Sequence, residues 1–157
     1  MFTPDIELTL PQKGKYWGSL FIKLLDFYGG HRITIQPNFT FVFNKHLNAR
    51  IEYEYDHIKF PDEYSDIGNG LFRSNLVRLS ASYYFSSKVS FKILSQYDEL
   101  NRVVSSNFRC RYNPREGTDL YIVFNQGLNT DVTRMDPHLP VVNNQAVIVK
   151  FVKTFTL

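Results

Sequence analysis

One cysteine, Cys110, stands in 157 residues. No intrachain disulfide can therefore staple the fold. Long apolar runs are missing too. The best candidate, "SLFIKLL" at 19–25, carries Lys23 and falls far short of the ~20 residues of a membrane-spanning helix. Charge of one sign is scarce: 18 basic against 15 acidic residues leave a net +3. The basic residues are scattered singly, which excludes the footprint of a nucleic-acid partner. No glycine-rich phosphate loop and no nucleophile elbow appears. The opening "MFTPDIELTLPQKGK" lacks the basic start and apolar stretch of a secretory signal. If the protein is exported, this chain is mature or incomplete.

Aromatics, by contrast, are plentiful. The chain has 14 Phe, 10 Tyr and 1 Trp, 16% of its residues, within an apolar total of 43%. They fall in a pattern. In "RITIQPNFTFVF", 32–43, Ile33, Ile35, Pro37, Phe39, Phe41 and Phe43 alternate with Arg32, Thr34, Gln36, Asn38 and Thr40. Period two means a strand with one apolar and one polar face. The alternation recurs at 48–57, 76–85, 88–97, 103–112 and 118–125, and more loosely at the end. Residues 16–28 are apolar on both faces.

These segments predict eight strands, at about 16–28, 31–44, 48–59, 70–85, 88–100, 103–113, 118–126 and 144–157. Residues 1–15 are expected to be a lead-in segment, and 16–157 a single barrel domain. Turn chemistry separates the strands: "GG" at 29–30, "NKHLN" at 44–48, "SSK" at 86–88 and "NPREG" at 113–117. Two connections are longer, 61–70 and 126–144. In a meander the turns at 44–48, 86–88 and 113–117 share one end, and both long loops share the other. Short turns on one side and long loops on the other suit an outer-membrane barrel. A soluble meander with chance loop lengths remains the plain alternative.

Volume bears on which face is outside. An eight-stranded barrel has an interior just wide enough for side chains. The apolar parity carries Phe39, Phe41, Phe43, Tyr83, Phe85, Phe91, Phe108, Tyr112 and Phe155, among others. Turned inward, they would overfill the tube; turned to lipid, they meet no volume limit. They also gather in two bands. Phe43, Tyr83, Phe85, Tyr112 and Phe155 lie near the short-turn end, and Tyr28, Tyr55 and Tyr97 near the long-loop end, as interfacial girdles do. The opposite parity supplies lumen-facing candidates: Glu52, Glu54, Arg78, Lys92, Arg109, Arg111 and Asp119. Symmetric pairing of the hairpin at 113–117 would set Arg111 across from Asp119, and Glu52 is placed to face Arg78.

The stretches "DFYGGHRITIQPNFTFVFNKHLNARIEYEYDHIKFPD", "FRSNLVRLSASYYFSSKVSFKILSQYDELNRVVSSNFRCRYNPREGTDLYIVFNQGLNTD" and "QAVIVKFVKTF" resemble the C-terminal part of an uncharacterised bacterial family. Its members join an N-terminal carbohydrate-binding-like β-sandwich of the family 9 type to a C-terminal outer-membrane β-barrel. The resemblance spans about 26–157. It implies a Gram-negative outer membrane, a longer parent protein, contact with outer-membrane lipid, and a glycan partner only through a domain absent from this chain. It supplies no catalytic residues. The ending "KTFTL" departs from the terminal aromatic common in such barrels.

Elsewhere the chemistry is bland. His31, His46, His57 and His138 lack metal-ligand spacing, and His57 points away from Asp56. Asp131, Asp136 and His138 share the longest loop without an ordered Ca²⁺ pattern. Cys110 has outward parity and reads as an apolar filler. No cofactor and no catalytic set is expected. The fold expected is an all-β, antiparallel up-and-down meander of about eight strands, either a transmembrane β-barrel or the C-terminal part of a larger one. In the second case the edges at 16–28 and 144–157 meet strands from outside this chain. Its work is then structural, anchoring or solute passage. The alternatives are a soluble eight-stranded barrel holding a small apolar ligand, and an outer-membrane barrel enzyme.

Overall fold

The computed structural model describes residues 4–12, 14–27, 29–61 and 70–154, with only the backbone at Phe27. Tyr28, Phe155, Leu157 and most of the 61–70 loop lie outside the described residues. The described residues form a single antiparallel sheet of nine strands in sequence order. They are β1 (Asp5–Thr9), β2 (Tyr16–Phe27), β3 (Gly30–Val42), β4 (Leu47–Lys59), β5 (Leu71–Tyr84), β6 (Val89–Asp98), β7 (Val103–Arg115), β8 (Thr118–Asn129) and β9 (Val142–Lys153). Among the described residues no helix is long and apolar enough to cross a membrane.

The strand number corrects the expected eight. Residues 5–9, inside the expected lead-in, pair with β2 from Asp5↔Lys23 to Thr9↔Ser19. The segment is too short for periodicity to separate it from a loop; the edge of β2 decides its state. At the other end β8 runs on to Asn129 and β9 starts at Val142, so the long loop shrinks to 130–141. β1 and β9 are the two edges of the sheet, and neither pairs with the other.

Turn chemistry sets the registers. Asn44 Oδ1 accepts from the amides of His46 at 2.8 Å and Leu47 at 3.0 Å, closing the β3–β4 turn. Ser86 Oγ accepts from the amides of Lys88 and Val89 at 3.2 and 3.1 Å, closing β5–β6. Such side-chain acceptors stand in for a backbone turn bond. In the β7–β8 turn Gly117 takes φ +71, where a side chain would be strained. The register shifts between Tyr112 and Arg115. This bulge corrects the symmetric hairpin: Arg111 stands opposite Tyr121, two residues along β8 from Asp119.

The registers carry the apolar parity across the whole sheet. Phe39 faces Ile51, Ile51 faces Leu79, Ala81 faces Ile93, Ile93 faces Phe108, Phe108 faces Phe124, and Phe124 faces Val147. One face is therefore mostly apolar across β3–β9. It has no second layer to bury it. Phe39 is 46% exposed, Phe91 46%, Phe108 41% and Phe151 64%. The buried side chains sit instead on the polar parity, apart from Thr118 at a turn: Thr34 at 5%, Asp56 at 9% and Asn129 at 8%, with Ile58 at 8% the one buried hydrophobic side chain described. A water-soluble sheet sequesters its apolar face; this one shields its polar face.

Candidate functional site

Polar side chains shield each other by pairing across strands. At the long-loop end, Arg32 on β3 grips Asp56 on β4 with two bonds, Nε to Oδ1 at 2.9 Å and Nη2 to Oδ2 at 2.7 Å. The Thr34 hydroxyl adds a third at 2.5 Å. Such a fork-and-carboxylate fit is directional as well as strong. Further along, Arg78 donates to Glu54 and to Gln96, both at 3.1 Å. Glu52, directly opposite Arg78 in register, pairs instead with Arg50 at 2.5 Å. Asn38 donates to Ser19 at 2.6 Å. These groups line a polar hollow of about 270 Å³ that Ser19, Gln36, Asn38, Arg50, Glu52 and Arg78 share.

Across β6–β9 the same face is different. Arg111 Nε reaches Asp119 at 2.7 Å, and Asn113 shares that oxygen at 3.0 Å. The bulge, rather than direct register, makes this diagonal contact. Lys92 stands opposite Arg109, so like charges face one another, an unfavourable pairing. Neither Lys92, Arg109 nor Lys150 has an acidic partner within ion-pair distance among the described residues.

Of the aromatic candidates, Phe39, Phe41, Tyr83, Phe91, Phe108 and Tyr112 lie exposed on the apolar face. Phe43 and Phe85 sit just past the ends of β3 and β5, at the short-turn end, at 55% and 68% exposure. Phe155 lies outside the described residues. Phe41 and Phe43 stack at 6.4 Å, and Phe108 meets Phe124 at 5.9 Å. An apolar groove of about 290 Å³ opens between Tyr83, Phe91, Phe108, Ile122 and Phe124. It lies on the apolar face of the sheet, with Cys110 among its lining residues.

Some residues of this site escape a search by single-strand pattern. Arg32 and Asp56 are far apart in sequence, and the observed register, centred on Lys45, puts Thr34 opposite Asp56. Symmetric pairing about the 44–48 turn would have set Thr34 opposite Ile58 instead, so a one-residue difference in the turn hid the trio. A second pattern is legible only across strands. Ser95, Ser106, Gln126 and Gln145 are each an interruption of the apolar parity; the registers align them in one row, and the Ser95 and Ser106 hydroxyls meet at 2.9 Å.

The loops hold no metal cluster: among the described residues no group of three or more His, Cys, Asp or Glu is placed to hold an ion. Asp131 is engaged by Arg102 at 2.6 Å and by the Thr133 hydroxyl at 3.0 Å. The Thr133 hydroxyl first, then its amide and Arg102, hold that carboxyl below its ordinary range.

No protein-family model matches the chain, and no curated protein matches it. A solved structure of the NanC porin, in a rhombohedral crystal form, superposes with a TM-score of 0.51 over 99% of this chain and 78% of that one, at 15% identity. The fold class that the chain shares with that porin is an all-β antiparallel meander. At such identity the likeness is one of fold.

Proposed function

We infer that the nine strands form wall of an outer-membrane β-barrel in a Gram-negative bacterium, with the polar face toward a wet interior and the apolar face toward lipid. The observation that carries this reading is the inverted burial: Asp56 and Thr34 are shielded while Phe39, Phe91 and Phe151 are exposed. Exposed apolar area of this extent marks a surface that meets something other than water. Strands of 10 to 14 residues in β2–β9 reach the ~9–11 that a tilted membrane strand requires. The role of such a wall is solute passage or anchoring, and no catalytic step is assigned to it. The resemblance noted above adds a parent protein with a carbohydrate-binding-like domain, whose glycan contacts would belong to that domain. The soluble-carrier reading is less well supported, because it needs an enclosed apolar interior, and Tyr83, Phe91, Phe108 and Ile122 around the groove are 41–46% exposed.

Lipid exposure can be read directly. In a Trp17→Phe background, the full chain carries a single tryptophan by Phe91→Trp or by Lys92→Trp and is folded into phosphatidylcholine vesicles with brominated acyl chains. Quenching should be strong at position 91 and weak at position 92. The reverse pattern, or a chain that stays monomeric in buffer without lipid or detergent, would sink the membrane reading. Stepwise conductance in a planar bilayer would separate passage from anchoring.

A further inference from the structure

We propose that the free edge of β9 is an acceptor for one further β-strand, antiparallel to it, apolar on its outward face and acidic opposite Lys150. This rests on the membrane reading above. In lipid an unpaired strand edge leaves backbone groups without partners, so something must cover β9.

Direction eliminates the nearest candidates. Every neighbour in the sheet is antiparallel, and there are nine strands. β1 and β9 therefore run the same way, and closing one on the other would give a parallel seam. Single-chain bacterial barrels have even strand numbers. A second copy does no better. Inserted in the same orientation, it again offers β1 or β9 in the same direction; an antiparallel copy would stand upside down, with its long loops on the wrong side. β2 has the right direction, but β1 already occupies its edge over Ser19–Lys23. The occupant thus runs from the short-turn end to the long-loop end, and it brings an odd number of strands to complete the wall.

The side chains of β9 describe its partner. On the outward face Val147, Val149 and Phe151 are 67%, 65% and 64% exposed, against 45% for Ile122, which stands opposite Val149 on β8. The missing cover is on the free side. On the polar face Lys150 stands opposite Tyr121 on β8, with no acid within ion-pair distance among the described residues, since its diagonal neighbour Asp119 is held by Arg111. A carboxylate directly across the free edge would supply the cross-strand pair.

The test uses the full chain with Cys110→Ser and Val149→Cys, folded in phosphatidylcholine vesicles. Two synthetic strands, each 12 residues like β9, alternate valine and threonine and carry cysteine opposite position 149. One has glutamate opposite Lys150, the other lysine. The glutamate strand should form the mixed disulfide about tenfold more efficiently and raise the heat-modifiable folded fraction. Lys150→Glu should reverse the preference. Equal capture of both strands, or of neither, would overturn the proposal. So would efficient coupling of Val149→Cys to Ile22→Cys or Ile6→Cys within one chain, which would mean that β9 closes on β2 or β1. Quenching at Phe91→Trp reports the membrane reading separately, so the two can fail apart.

Discussion

The polar face of β2–β5 and the polar face of β6–β9 are made from the same residue types and behave differently. On the first, Arg32, Arg50 and Arg78 each hold a carboxylate. On the second, Arg111 alone does, while Lys92 and Arg109 oppose one another. The difference arises from where the acids lie. Acids at Glu52, Glu54 and Asp56 fall on every polar position in the middle of β4, between basic residues on both neighbouring strands. β6–β8 have no equivalent acidic strand. One half of the face is internally neutralised, and the other leaves positive charge over.

The comparison can be broken most severely from the opposite face. Ile93→Arg, in the middle of β6 opposite Ala81 and Phe108, puts a basic residue on the apolar face, next to Lys92 on the polar one. Under the membrane reading it should cost about 2–4 kcal/mol, the penalty for such a residue near the bilayer midplane, measured as folding free energy in vesicles. Lys92→Gln, one residue away, should cost far less. Equal effects at both positions would mean that the faces are not distinct.

Within the polar face, removing an acid should hurt the neutralised half more. Asp56→Ala strands a half-buried Arg32 and the Thr34 hydroxyl, and should lower stability by about 1–3 kcal/mol. Asp119→Ala exposes an Arg111 that already reaches water, and its loss should be smaller. Denaturant titration of both variants ranks them.

Adding an acid should sharpen the contrast in the other direction. Lys92→Glu turns the opposed pair with Arg109 into an attractive one, and should stabilise by about 0.2–1 kcal/mol. If the wall lines a conducting path, the same change should also move the reversal potential toward cations. An unchanged potential would place these charges outside that path.

The smallest effect lies in the loop. The Asp131 carboxyl is held below its ordinary range, chiefly by the Thr133 hydroxyl. A depressed folded value means that its contribution is complete above the ordinary carboxylate range near ~3.9 and is lost as pH falls through the folded value. Hydrogen exchange at the Thr133 amide should therefore quicken on acidification below about pH 4, and Asp131→Asn should remove the pH dependence.

Much of this was legible in the chain itself. Alternation in 32–43 gave both faces of β3, because a strand has a period of two and no tertiary contact is needed to express it. Asn44 and Ser86 marked turns through their own side-chain chemistry. The apolar parity of Phe39, Phe91 and Phe108 is equally local. β1 was not legible: "DIELT" is too short to carry a period, and only the edge of β2 makes it a strand. Nor was the Arg111–Asp119 contact placed correctly, since a bulge shifts the register without leaving a pattern in "NPREG".

The sequence by itself determined the number and direction of β2–β9 and which side chains share a face, since these follow from local periodicity and turn chemistry. Only the tertiary structure decided which charges meet. Arg32 found Asp56, Lys92 was set against Arg109, and Ser95, Ser106, Gln126 and Gln145 became one row. Pairing depends on cross-strand register, and a single bulge moves a register by a whole side chain. The structure also decided that both edges carry strands of the same direction, because five residue pairs between β1 and β2 make a strand that no period in the sequence announces.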